Sequence, residues 1–584
     1  MNAKKICVET DQRTSDGDDK DPKIVINSLD YDSLAKIIML LPIPERIDME
    51  KVCTKWKEAC QLAWYDIKEY KCQSSIGRCY DNRLLTQSYL EKILLRCGKY
   101  LNKLSLSDVC NSSIMSFVGD HCKNLTSLEC EFDDNADYIV QALTQLDKLK
   151  CIKMLLKSTT KKKVINLFEI INSLPEEINE IHLLNNCWWL YDEHAVLFSF
   201  KKFINLQKLT LLDFYVDELI LQEIAEATTL VHLNIQLYDT QTEFPLFDKL
   251  VNLEYIKIKS KAEEDIEGIE EKEVSTKIVN TIFCKCKNLK HLDIPNDFCD
   301  LAKIPLAKWK NLRNLEYLTL SCYEVSPDLA DTIVKYCKNL KHLCIKPICH
   351  FIKTSVVKKL TKLENLESFI INLWLFKLTE ESIIAISNNC KKLKRLELNN
   401  CFLVPSIDSD ELSSPTVLNE LSKLQYLEHL SLYDAQSFED NTIIAIANNC
   451  KNLKSLDICC LTYDITETAL VAVTKLENLE ILKVNYRNIS DNFIIRLKGL
   501  KELHCVHCRN LTETGIIQFI KNNQDLEMIN IETIGNITID LVIGADQATK
   551  NRTNGIVLHI IIDNFSIIEA SKSIIGSQWL VVRA

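Results

Sequence analysis

Glycine is scarce in this chain, 11 among 584 residues, and none stands close enough to a second to write a nucleotide-binding loop. The dinucleotide loop, the phosphate loop and the G-x-S-x-G elbow all need paired glycines where the backbone turns sharply or approaches a phosphate, so these enzyme classes are excluded in their common forms. Positive charge is also in deficit. Seventy Lys and Arg against 81 Asp and Glu leave a net charge of −11 and a pI near 5.6, whereas a nucleic-acid ligand calls for a concentrated basic surface. The run KSTTKKK (157–163) reads as a solvated loop. No window offers the apolar length of a membrane span, and the first 23 residues are polar and acidic, without the core of a secretory signal. A cytoplasmic or nuclear protein without a membrane partner is expected. Histidine never forms H-E-x-x-H, and the one C-x-x-C, Cys505 to Cys508, lacks the second pair of a structural zinc site. No cofactor, metal or catalytic residue is expected.

What is present is a repetition. The pattern apolar-x-x-apolar-x-apolar recurs seventeen times, its first anchors running from Leu101, Leu125 and Leu149 to Leu479, Leu500 and Leu526. Anchors average about 27 residues apart, inside the range of leucine-rich repeats. In NNCKKLKRLELNNC (388–401), Leu393, Leu396 and Leu398 take one side of a short strand and Arg395, Glu397 and Asn399 the other, because side chains alternate along a strand. Between strands, TEESIIAISNNC (379–390) and TETALVAVTKL (466–476) carry apolar residues at helical spacing. Each unit is therefore strand, turn, helix, and stacking must bury what one unit alone cannot. The expected fold is an α/β leucine-rich-repeat solenoid, a horseshoe with parallel strands on its concave face and helices outside.

Cysteines recur in register with the repeats: Cys122 before Leu125, Cys337 before Leu340, Cys390 and Cys401 around Leu393, Cys450 before Leu453, and Cys508 ahead of NLTETGI (510–516). These copies resemble the cysteine-containing subclass of leucine-rich repeats. Such residues act as small buried apolar groups, so 25 cysteines do not imply disulfides. In HCVHC (504–508), Cys505 points inward while His504 faces the other way, which opposes a shared zinc ion.

In that subclass a short helical module commonly precedes the repeats, and residues 24–70 fit one. Leu34, Ile37, Ile38 and Leu41 share a helix face with Asp30 or Asp32 as cap, Pro42 and Pro44 end it, and a second helix starts at Glu45, followed by anchors Val52, Trp56 and Cys60. Leu40-Leu41-Pro42-x-x-Glu45-Arg46-Ile47 and Val52-Cys53-x-x-Trp56-Lys57, with Trp64 beyond, resemble the F-box. The family's opening leucine-proline is here Leu29-Asp30, which implies a weaker first contact.

The resemblance implies docking on a Skp-family adaptor and, through it, a cullin–RING ligase, so that a bound target is ubiquitinated and sent to the proteasome. The adaptor-binding residues it implies are Leu29, Leu34, Ile37, Leu41, Pro42, Ile47, Val52 and Trp56. For the target, the outward strand positions of the C-terminal half are the candidates: Arg395, Glu397, His429, Tyr433, Asp457, Lys483 and His504. His232, His291 and His342 also fall on that face, with no two histidines in adjacent repeats. Residues 1–23 are expected as a disordered polar tail, 24–72 as the F-box, 73–539 as the solenoid and 540–584 as a cap or tail. Two inserts, 261–274 and 404–417, read as surface loops. The alternative is a leucine-rich-repeat scaffold or inhibitor whose helical start is only a cap.

Overall fold

A computed structural model describes residues 26–584 apart from 73–77, 80–82, 85, 107–109, 133–136, 157–166, 186–198, 215, 217, 238–245, 261–271, 296–298, 348–351, 405–414, 436–438, 460–464, 487, 536 and 578. The run 157–163 and most of both inserts lie outside the described residues. The chain divides into two compact units, Met1–Lys68 and Glu69–Ala584.

Among the described residues the first unit holds three α-helices: α1 (Tyr31–Ile38), α2 (Ile43–Met49) and α3 (Thr54–Ala63). Asp30 caps α1, its carboxylate accepting from the Ser33 N–H at 2.7 Å. Helix α2 begins two residues earlier than expected. Pro44 stands in its first turn rather than outside it, where a missing N–H has no partner to lose. Leu34, Ala35 and Ile38 of α1 pack on Ala59, Cys60 and Ala63 of α3, with Met39, Met49 and Trp56 along the margin. The small residues of α3 let the two helices approach closely.

Arg46 ties this unit together. It is 4% exposed, and its guanidinium donates to the carbonyls of Leu41 (2.8 Å), Ala63 (3.1 Å) and Met39, and through both amino groups to Asp66 (2.7 and 3.0 Å). One planar fork thus satisfies the carbonyl ends of two helices and pairs its own charge.

The second unit is a leucine-rich-repeat solenoid. Among the described residues twenty strands form one parallel sheet paired in chain order, from Glu69–Lys71 to Leu580–Arg583. Every one of the seventeen first anchors is 3% exposed or less. Helices such as Glu380–Asn389 and Glu467–Val473 fall where their periodicity places them. Three strands of this sheet lie beyond the seventeen patterned copies: Glu69–Lys71, Leu558–Ile561 and Leu580–Arg583. The last two continue the stack through the segment read as a cap or tail. In GIVLHIII (555–562) apolar residues also occupy the outward position of Ile561, so the alternation that marks a strand is hidden there.

Polar ladders bind repeat to repeat. The Asn before an anchor donates to a carbonyl one repeat earlier, as Asn124 does to Lys99 (2.7 Å), Asn339 to Arg313 (3.1 Å) and Asn478 to Lys451 (2.9 Å). After the anchor, charge alternates along the stack: Lys290 pairs with Glu254, Lys341 with Glu316, Lys394 with Glu367, Lys454 with Glu428 and Lys501 with Glu480, at 2.7–2.9 Å. Each exposed pair contributes less than about 1 kcal/mol, but the alternation keeps like charges from meeting across strands. Buried cysteines close several of the helices, and the thiols of Cys286, Cys390 and Cys450 donate to the preceding repeat, as Cys450 does to the Leu424 carbonyl at 3.6 Å. Burial pushes the thiols of Cys122, Cys337 and Cys390 up to about 12, which suppresses the reactive thiolate. An alkylating reagent should accordingly modify exposed Cys53 within minutes and Cys337, Cys390 and Cys450 only after denaturant is added. Mass spectrometry of labelled peptides reads the difference, and fast labelling of Cys390 in the native protein would contradict the packing. Among the described residues no helix is long and apolar enough to cross a membrane.

Candidate functional site

A strand whose anchors face inward presents its alternate residues outward, and parallel pairing aligns those residues into rows across the repeats. One row runs through the residue two places after each anchor. It reads Lys208, His232, Tyr255, His291, Tyr317, His342, Ser368, Arg395 and His429 in register. The second row, two residues further on, includes Thr210, Asn234, Lys257, Asp293, Thr319 and Cys344.

The middle of the first row is a stack of rings. His232 lies on Tyr255 at 3.8 Å and 11°, Tyr255 on His291 at 4.0 Å and 15°, and His291 on Tyr317 at 3.9 Å and 13°. Tyr317 and His342 continue it at 6.0 Å and 35°. The spacing of neighbouring strands, roughly 4.8 Å, is close to ring-stacking distance, so identical register alone brings the rings together. Burial holds the imidazoles of His232 and His291 down to about 4 and raises the phenols of Tyr255 and Tyr317. The rings are therefore uncharged near neutral pH. Beside them Lys257 pairs with the largely buried Asp293 at 2.9 Å.

Inspection of histidines alone misses this stack because tyrosine fills the alternate repeats. The signal is legible in NLEYI (252–256), NLKHL (288–292), NLEYL (314–318) and NLKHL (339–343).

Further along, the same face carries the residues expected from the pattern. Arg395 and His429 are register partners in the first row, and Glu397, Ser431, Asp457, Lys483, His504 and Asn530 follow in the second. Arg395 Nε donates to Glu397 at 2.7 Å, so these two charges largely satisfy each other. Burial raises the Asp457 carboxyl and lowers the imidazoles of His429 and His504. Tyr433 lies past the end of its strand and is 42% exposed. Cys505 and Cys508 are buried, whereas His507 stands in a left-handed turn (φ 64°) with Nδ1 2.6 Å from Thr533 Oγ1. The two thiols thus meet in the interior, while His504 stands in the outward row and the His507 ring is turned to Thr533.

In the helical unit the expected residues divide. Leu34 and Ile47 are buried within the unit's own fold, which gives them a supporting place rather than an outward one. Leu29, Leu41 and Trp56 are half-buried and Pro42 is exposed. Ile37 (40%) and Val52 (53%) face solvent, and Leu40, in the leucine-proline motif but outside the expected contact set, is 84% exposed.

No family model matches the chain. An F-box/LRR-repeat protein of Arabidopsis thaliana is 25% identical over 158 residues, which cover 26% of this chain and 36% of that protein. The match thus spans about a third of the relative's length. Among solved structures, a chain of the yeast Rad7 and Elc1 complex is 18% identical, with 52% of this chain and 80% of that one covered and a TM-score of 0.33.

Proposed function

We propose that this protein is a non-catalytic receptor: residues 26–68 dock on a Skp-type adaptor of a cullin–RING ubiquitin ligase, and the outward face of the sheet holds a target protein. The observation that carries the reading is the apolar surface of the helical unit. Ile37, Leu40, Val52, Leu62 and Tyr65 are all at least 40% exposed, and all five lie within 24–72, the segment that resembles the F-box. A stable unit of this size ordinarily hides such side chains, and exposed groups of them mark protein contacts. The stacked rings supply the second face, since interface hot spots favour aromatic anchors. A receptor of this kind contributes proximity: tethering a target lysine beside a charged conjugating enzyme raises effective concentration without new bond chemistry.

The test uses a purified Skp-family adaptor and the full chain. Leu40→Asp with Val52→Asp should weaken adaptor binding by more than about 100-fold, because two carboxylates would be desolvated in the contact, while circular dichroism stays unchanged. Wild-type affinity in that variant would sink the adaptor reading and leave the scaffold alternative. Targets captured by the wild type separate the two halves of the sheet. Tyr255→Ala with Tyr317→Ala should release them if the rings anchor the target, and Tyr433→Ala, Lys483→Ala with His504→Ala should release them if the C-terminal half does. Undiminished capture in both variants refutes the sheet face as the target site.

A further inference from the structure

Upstream of the stacked rings three side chains of different ligand chemistry converge. Cys151 and Glu180 are register partners on adjacent strands, and His182 stands two residues on, on the same outward face. Cys151 Sγ is 3.8 Å and His182 Nε2 3.6 Å from Glu180 Oε2, and the three donor atoms all lie within 4.8 Å of one another. A tetrahedral zinc ion with bonds of about 2.0–2.3 Å places its donor atoms roughly 3.3–3.8 Å apart. The cluster thus needs only a small contraction around an ion.

The remaining atoms of these groups are already engaged. His182 Nδ1 is 2.9 Å from Thr210 Oγ1, and in the tautomer that donates Nδ1–H to this hydroxyl, Nε2 keeps its lone pair for the cluster. Glu180 Oε1 is 2.8 Å from Lys208 Nζ, which leaves Oε2 as the converging oxygen. Such outer partners orient metal ligands and fix their tautomer. Lys208 also offsets part of the negative charge that a thiolate and a carboxylate would bring together. All three side chains are half-buried, open on one side to water.

We infer that Cys151, Glu180 and His182 form a binding site for a divalent transition metal of the zinc class, with a water molecule as fourth ligand. A thiolate and an imidazole select zinc or cobalt over magnesium or calcium, whose preferred ligands are oxygens. On binding, the Cys151 thiol releases one proton to solvent as the sulfur–metal bond forms and the hydrogen bond to Glu180 is given up. The site was not legible in the sequence because its ligands come from two repeats, with Cys151 and Glu180 lacking the short spacing of a zinc motif. It would hold an ion whether or not the helical unit docks an adaptor.

Cobalt(II) titrated into the reduced full-length protein is the probe, because a cysteine ligand adds a thiolate-to-cobalt charge-transfer absorption. The wild type should bind one cobalt per chain with that absorption, displaced by added zinc. Cys151→Ser should abolish the charge-transfer band, His182→Ala should weaken binding at least tenfold, and Thr210→Val should weaken it about tenfold with the band retained. His504→Ala serves as a control that leaves the titration unchanged. These side chains are partly exposed or replaced by isosteres, and circular dichroism verifies folding of each variant. Absence of cobalt binding in the wild type, or a band of wild-type strength in Cys151→Ser, overturns the site.

Discussion

Replacing Arg46 with Met should unfold the helical unit while the repeats stay intact. The guanidinium is nearly inaccessible and reaches Met39, Leu41, Ala63 and Asp66 at once. Methionine fills much of the same volume but donates nothing, so three carbonyls lose a charged donor and Asp66 loses its partner. Removing one member of a buried ion pair costs about 3–5 kcal/mol, as much as so small a unit commands in total. Amide hydrogen exchange across α1 and α3 should rise toward the unprotected rate, with the strands from Glu69 onward unaffected, and adaptor binding should vanish with it. Lysine at the same position keeps the charge but not the planar fork, so Arg46→Lys should fall between the two. Wild-type protection in Arg46→Met would show that the apolar core of α1 and α3 suffices.

Acidification should loosen the middle repeats well before it unfolds the rest. His232 and His291 are held down to about 4 by burial within the ring stack, whereas an unfolded histidine titrates near 6.5. Between those values the unfolded chain takes up protons that the folded chain refuses. The contribution of these rings is therefore complete above about pH 6.5 and is lost as pH falls toward 4. Because both rings are only partly buried, the loss is on the order of 1 kcal/mol each after allowance for solvent screening. Carboxylates such as Asp293, whose pKa is lowered mainly by Lys257 against the opposing effect of burial, add a loss of the same sign at lower pH. The double variant His232→Phe with His291→Phe keeps the stack but cannot titrate. Its denaturation midpoint should decline less steeply than that of the wild type from pH 6.5 to 5, the remaining slope coming from His342, His429, His504 and His559, which burial also holds low. Equal slopes for both proteins would show that the rings do not control acid stability.

Much of this molecule was legible before any coordinate. Leu393, Leu396 and Leu398 name the inward side of their strand because alternation is a property of each strand alone, and the helix over 380–389 follows from its own apolar spacing. Asp30 and Asp32 are readable as the two possible caps for the same local reason, and Asp30 takes the position. At the C-terminal end the reading stopped short, since apolar residues on both sides of Leu558–Ile561 erase the alternation on which it depended. Arg46 belongs to the leucine-proline motif, but the motif does not say which groups it meets. Its partners lie up to twenty positions away, and only the crossing of α1, α2 and α3 sets them around one guanidinium.

The amino-acid sequence by itself determined the repeat period, the buried anchors and the outward character of the residues between them, all consequences of short-range pattern. Tertiary structure decided which outward residues became neighbours. His232 meets Tyr255, and Cys151 meets Glu180 and His182, because parallel strands pair in a register that carries each side chain to the same height as its counterpart one repeat away. Repeats of unequal length separate those partners in the chain, so no fixed spacing announces them. The stacking of the buried anchors sets the register, and the register places the chemistry.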